Sequence, residues 1–256
     1  MMYYKERFKD FFAIDELLCL QLIGYSDADI CHSFYSPQEK EALQKTIANS
    51  PKQHEKAKQI LKKQTEAGVA TISFYSDEYP WFAFNNLIPD APPLLHILGD
   101  RKLLLRTDCV TIIGSRCADQ AGREAAYSLA RKFTLEGHVI VSGLAAGCDT
   151  AAHRGCLGAG GKTIAFVGSG LDITHPKTNR PLQEDYRIHR TIRLSLSQYI
   201  FFVCIHIQTF NIRTKGICIS IIATRHCIQR RMTYRINRMS PYDLIIINPF
   251  PHSHIY

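Results

Sequence analysis

The chain has 256 residues, 46% of them hydrophobic, and 31 Lys and Arg against 23 Asp and Glu, for a formal net charge of +8. That is enough apolar material for one sizeable core, or a moderate core with a small appendage, and it excludes a chain disordered as a whole. The nine cysteines are odd in number, widely spaced and never in a CxxC pair, which argues against a disulfide framework or a zinc site and for a reducing compartment.

The first ten residues, Met-Met-Tyr-Tyr-Lys-Glu-Arg-Phe-Lys-Asp, scatter charge where a signal peptide needs an apolar stretch, so a cytoplasmic location is expected. The basic excess is not spread evenly. Residues 1–186 carry 21 Lys and Arg against 22 Asp and Glu, whereas residues 187–256 carry 10 against 1. Net charge therefore says little about a nucleic-acid partner for the body of the chain.

In chain order, residues 10–66 read as helical. Leu17, Leu18, Leu20, Leu22 and Ile23, then Leu43, Ile47, Ala57, Ile60 and Leu61, recur at spacings that line a helix face, with breaks at Pro37 and Ser50-Pro51. A strand, Val69–Phe74, is followed by an aromatic, proline-rich connector, Tyr79-Pro80-Trp81-Phe82 and Ile88-Pro-Asp-Ala-Pro-Pro-Leu94, that cannot continue a helix. A regular alternation then begins: strand Cys109–Ile113, a helix over about 119–136, strand Val139–Val141, a helix over about 149–158, and strand Thr163–Gly168. Ala126, Leu129, Ala130 and Phe133 give the first of these helices a single apolar stripe. The expectation is an α/β fold with a Rossmann-like parallel sheet, preceded by a small helical domain. Its boundaries are 1–68 for the helical part, 69–186 for the Rossmann-like core and 187–256 for the tail.

The tail differs from the body in almost every residue class. It holds 16 Ile and 9 Arg but one Gly, one Ala and one Lys. No period organises it, and it resembles translation out of frame more than a second domain, so the sheet is expected to be incomplete, with an unpaired edge near 163–168. Reading the gene in its other two frames past codon 186 checks this.

Each strand-to-helix turn of the alternating region carries small or polar residues: Gly114-Ser115-Arg116, Ser142-Gly143-Leu-Ala-Ala-Gly147-Cys-Asp149 and Gly168-Ser169-Gly170-Leu-Asp172. Such turns lie at the carboxyl edge of a parallel sheet, where backbone N–H groups can approach an anion, and a phosphate-bearing ligand is the natural guest. Arg116 directly follows the first strand and can fork onto phosphate oxygens. Asp149 and His153, four residues apart, have the spacing of a relay pair. No nucleophile accompanies them, and Asp149 reads better as a helix N-cap.

Other patterns carry less. Gly158-Ala-Gly-Gly161-Lys162-Thr163 lacks the first glycine of a Walker A loop, having Cys156 there, and opens a strand. Gly168-Ser-Gly170 lacks the rest of a dinucleotide fingerprint. Leu194–Ile212 is free of charge but holds Gln198, His206 and Gln208, which disfavours a membrane span. Cys204-Ile-His206 and His226-Cys227 lack metal-ligand spacing. No catalytic residue, metal or cofactor is expected.

Val110-Thr-Ile-Ile-Gly-Ser-Arg116, Val141-Ser-Gly-Leu-Ala-Ala-Gly-Cys-Asp-Thr-Ala-Ala-His153 and Gly160-Gly-Lys-Thr-Ile-Ala-Phe-Val-Gly-Ser-Gly-Leu-Asp172 resemble the core of the DNA-processing protein A (DprA/Smf) family. The second segment is close to that family's Ser-Gly-Leu-Ala-x-Gly-x-Asp-x-x-Ala-His signature. Tyr79-Pro80 and Asp90–Asp100 resemble the family's approach to its Rossmann domain, and the N-terminal helices match its small SAM or helix-hairpin-helix-like domain. The motif-level resemblance spans roughly residues 10–185. It implies a protein of natural transformation that binds single-stranded DNA, shields it, and hands it to the RecA recombinase, with no chemistry of its own. It further implies that Gly114, Ser115, Arg116, Ser142, Gly143, Gly147, Gly168, Ser169, Gly170, Lys177, Asn179 and Arg180 line a DNA-phosphate pocket. The departures are His175, where the family has a tyrosine, and the absence after Gln183-Glu184 of a Phe-Pro-x-Arg-Asn-Arg segment and of the family's homodimer surface. Two other readings are a hydrolase of the lysine-decarboxylase-like Rossmann group, whose Pro-Gly-Gly-x-Gly-Thr loop is absent, and a remnant that folds only in part.

Overall fold

The computed structural model describes residues 12–33, 36–80 and 91–182, together with the backbone of three further strands at 192–195, 209–214 and 217–223. Four helices come first: α1 (Ile14–Ile23), α2 (Asp27–His32), α3 (Pro37–Ala48) and α4 (Pro51–Glu66). Their ends follow local chemistry. Gly24 closes α1 at φ 116°, Ser26 and Asp29 form a reciprocal cap on α2, and Pro37 and Pro51 occupy the first positions of α3 and α4, where a missing N–H costs nothing.

Strands β1 (Ala70–Ser73) and β2 (Leu94–Leu98) pair antiparallel. Strand β2 starts at Leu94, the last residue of the proline-rich connector, and runs through residues that the sequence reading does not assign to a strand. Tyr79 is buried and its hydroxyl donates to the Pro92 carbonyl at 2.8 Å, drawing the two ends of the connector together. The alternating core follows as β3 (Cys109–Ile113), α5 (Gln120–Leu135), β4 (Val139–Ser142), α6 (Cys148–Gly158) and β5 (Thr163–Val167), each within a residue or so of its expected span. Asp119 caps α5 by accepting the Gly122 N–H at 2.8 Å. Ala126 and Ala130 are fully buried and Phe133 nearly so, with Leu129 packed against them, so the apolar stripe faces the sheet as its spacing requires.

The chain past residue 186 departs from expectation. Strand β6 (Ile192–Ser195) lies parallel to β5, and the hairpin β7 (Thr209–Thr214) and β8 (Ile217–Ala223) adds antiparallel to β3. The sheet has eight strands in the order β1-β2-β6-β5-β4-β3-β8-β7, and β5 is paired on both sides rather than left as an open edge. These strands have a local basis in the sequence. Ile192 and Leu194, Phe210 and Ile212, and Ile217, Ile219 and Ile221 each alternate with other residues at a two-residue period in short windows. The two ends of the span Leu194–Ile212 fall in β6 and β7, while 196–208, Cys204, His206, His226 and Cys227 lie outside the described residues. No helix among the described residues is long and apolar enough to cross a membrane.

The sheet is covered on both faces. Val110, Ile112 and Ile140 pack against Ala126, Ala130, Ala151, Ala152 and Cys156 of α5 and α6. Val139, Val141 and Ile164, pointing the other way, join Leu17, Leu20, Ile30, Leu43 and Ile47 in one continuous core with β1 and β2. The N-terminal helices thus share the core of the sheet. This burial leaves the carboxyl ends of β3, β4 and β5 as the rim where the three turns emerge.

Candidate nucleic-acid interface

The first two turns are locked together through backbone. Gly147 has φ 79° and ψ −124°, and a Cβ there would stand 2.2 Å from the Ser115 carbonyl oxygen and 2.7 Å from that of Arg116. Only glycine permits this approach and this conformation. The next residue, Cys148, donates its N–H to the same Ser115 oxygen at 3.2 Å. Ser115 and Arg116 are left exposed on the rim, with the Ser115 hydroxyl accepting the Cys117 N–H at 3.1 Å.

Beneath them lies Asp149. Its side chain does not cap α6: the N-cap is Gly147, and Asp149 is the second helical residue. The carboxylate is buried, 2% exposed, and burial pushes its pKa up to about 6. Hydrogen bonds from the backbone N–H groups of Ala145, Gly114 and Gly143 act the other way, with the Ser142 hydroxyl close by. The N–H groups of Gly114 and Gly143, offered by the sequence to a phosphate, are therefore directed at an internal anion. The Ser142 hydroxyl is also internal, donating to the Ile112 carbonyl at 2.7 Å.

His153 is not Asp149's relay partner. It is fully buried, and its Nδ1 lies 2.8 Å from Thr163 Oγ1, whose own proton goes to the Ile140 carbonyl at 2.6 Å. The imidazole therefore carries its hydrogen on Nδ1, and burial pushes its pKa down to about 3, keeping it neutral.

The 3-10 turn Lys177–Asn179, which follows the third turn, is tied to the second turn and to α6 by Asn179, which is also buried. Its Nδ2 donates to the Leu144 carbonyl at 3.0 Å and to Thr150 Oγ1 at 2.8 Å, and Thr150 donates in turn to the Ala145 carbonyl at 2.6 Å. Leu144 has a left-handed backbone, φ 56°, and its side chain is fully buried. Neither this strained leucine nor Thr150 stands out in the sequence. Gly168 and Gly170 are exposed, Ser169 is half-buried, and Lys177 and Arg180 are exposed around the short 3-10 turn Lys177–Asn179. A side chain on Gly168 would meet open space.

The twelve residues thus fall into two groups. Ser115, Arg116, Gly168, Ser169, Gly170, Lys177 and Arg180 reach the rim. Ser142 and Asn179, with the N–H groups of Gly114 and Gly143 and the close approach at Gly147, build the support beneath it.

Residues 70–229 match the family model described as DNA recombination-mediator protein A. The chain belongs to that family. The match begins at β1 and runs through β6, β7 and β8, well past the point near residue 185 where the motif-level resemblance stops. Family relatives include DNA processing protein DprA of Streptococcus pneumoniae, 43% identical over 114 residues, which are 44% of this chain and 39% of that protein. The DprA of Bacillus subtilis is 31% identical over 137 residues, 54% of this chain and 46% of its own length. The matched stretch spans less than half of either relative. The crystal structure of the Streptococcus pneumoniae family member superposes with a TM-score of 0.48 at 30% identity, covering 75% of this chain and 65% of that one. For the Helicobacter pylori family member, with a TM-score of 0.41 at 29% identity over 51% of this chain and 57% of that one, a single-stranded DNA binding mode is described.

Proposed function

We propose that this chain binds single-stranded DNA along the rim formed by its three glycine-bearing turns, as a recombination mediator of DNA uptake that protects the strand and promotes RecA loading. The observation that carries the reading is the backbone lock between Gly147 and Ser115, within the family-matched segment. It fixes the backbone of the exposed Ser115 and Arg116 at the carboxyl edge of the sheet, the edge from which the exposed Gly168 and Gly170 and the exposed cations Lys177 and Arg180 follow β5. Such a rim offers donors and positive charge to phosphate, and it has no preference among bases.

The reading includes no bond-making step. Asp149 and His153, the residues with the spacing of a relay, are both internal and bonded to other groups, which supports a binding role over a catalytic one.

The test is a fluorescence-anisotropy titration with labelled single-stranded and double-stranded oligonucleotides at low and moderate salt, beside Arg116→Ala. Binding that prefers the single strand, falls as salt rises and weakens in the variant supports the rim as the site. Binding indifferent to Arg116 refutes it.

A further inference from the structure

The described body of the chain holds one concentration of positive charge that the turns do not use. Helix α4 carries Lys52, Lys56, Lys58, Lys62 and Lys63, all exposed, against Glu55 and Glu66, in a body of residues 1–186 whose charges nearly balance. At about 100° per residue, Lys52, Lys56 and Lys63 fall within roughly 40° of one another and about 100° or more from the buried Ala57 and the half-buried Leu61 that face the core, with the half-buried Ile60 between the two faces.

The fold does not ask for these lysines. Lys52–Lys56 and Lys58–Lys62 are like-charged pairs four residues apart, which weaken a helix. Lys52 stands in a first turn with no acidic residue, at the end where the helix dipole disfavours a cation. None of the five forms an ion pair among the described residues, whereas Lys45 on α3 pairs with Glu41 at 2.7 Å.

Their position connects them to the rim. The N–H of Val69, three residues past the end of α4, bonds the Gln64 carbonyl at 2.8 Å, and Val69 belongs to the apolar cluster that contains Leu144 of the second turn and Leu171 of the third. The C-terminal end of α4 is therefore anchored at the edge of the sheet where the turns emerge. From there the lysines run back over about 16 Å to Lys52.

We infer that the lysine face of α4 is a second anion-binding surface, continuous with the rim, that takes the phosphate backbone of a single strand after it leaves the turns. This rests on the single-strand-binding reading above. The surface adds length and charge to the contact without base specificity, so its contribution grows with the length of the strand.

The experiment compares the full chain with Lys52→Gln/Lys56→Gln/Lys63→Gln, titrating oligothymidylates of about 5 and about 20 nucleotides over a range of salt. Lys45→Gln serves as the control. Glutamine keeps the helix propensity of lysine, and loss of the like-charge repulsion holds or raises the melting temperature, so folding is monitored directly. The expected result is a salt slope on the long oligonucleotide smaller by about 2, from three lost contacts at about 0.7 each, with binding of the short one and the control unchanged. An unchanged slope on the long strand, or equal loss on both lengths, overturns the inference while leaving the rim in place. Failure of the wild-type chain to bind either oligonucleotide overturns both.

Discussion

The α-carbon of Gly147 lies against the carbonyl oxygen of Ser115 so closely that a methyl group on it would stand 2.2 Å from that oxygen. The contact joins the turn after β3 to the turn after β4, and it fixes where Arg116 leaves the surface. Gly147→Ala combines a forbidden backbone conformation with an overlap against main chain that cannot rotate away. It is expected to lower stability by about 3 kcal/mol and to weaken single-strand binding. Urea unfolding followed by circular dichroism, beside the anisotropy titration, checks both. A variant as stable as the parent would show that the two turns are not locked in this way.

Gly168→Ala is the contrasting case. Its Cβ meets nothing within 4 Å and its φ is not left-handed, so stability should stay within about 0.5 kcal/mol of the parent. The methyl group would instead occupy open space where, on the proposed binding mode, a phosphate approaches the third turn, and affinity for single-stranded DNA should drop several-fold. Loss of stability in place of affinity would move Gly168 from the rim to the support.

Asn179→Ala removes the donor that holds the Leu144 carbonyl and Thr150 Oγ1 together in a buried place. The expected cost is about 1–3 kcal/mol. Because the amide faces inward, affinity measured well below the unfolding transition should change much less than in Arg116→Ala. The reverse ranking would make Asn179 a phosphate ligand, as the motif comparison implies.

Acid should reveal Asp149 and His153 as opponents. The folded pKa of His153 is pushed from 6.5 down to about 3, so the unfolded chain binds the extra proton between those values and stability falls as pH drops through that window. The folded pKa of Asp149 is pushed from 3.8 up to about 6, so there the native state binds the extra proton and stability rises as pH drops from 6 towards 4. Each slope reaches at most about 1.4 kcal/mol per pH unit. Relative to the parent, His153→Gln should gain stability on going from pH 7 to pH 4, and Asp149→Asn should lose it. Denaturation midpoints at several pH values decide this, and parallel curves for all three proteins would sink the assignment.

The parallel core was legible because its signals are local. The stripe Ala126, Ala130 and Phe133 has a helical period, and the glycines mark the turns between elements. What escaped depends on partners distant in sequence. The segment Leu94–Leu98 becomes a strand by pairing with β1 and β6, behind prolines that dominate its appearance. The strands after residue 186 were hidden because their alternation is confined to windows of four to seven residues inside an unusual composition. At the rim, the residue types were readable but their direction was not. Ser142 and Asn179 look like ligands and point inward, and only the packing around Asp149 distinguishes a carboxylate that caps a helix from one that stands beneath two turns.

Strand β3, which leads into Arg116, is flanked by β4 on one side and β8 on the other, while β4 and β5 are also paired on both sides. These strands lie in the middle of the sheet under helices on both faces, so their amides should be among the slowest in the molecule to exchange with solvent. When the protein breathes, its margins open first. The scaffold that aims Arg116 is then the last to let go, so the rim should keep its geometry through local openings that loosen the periphery.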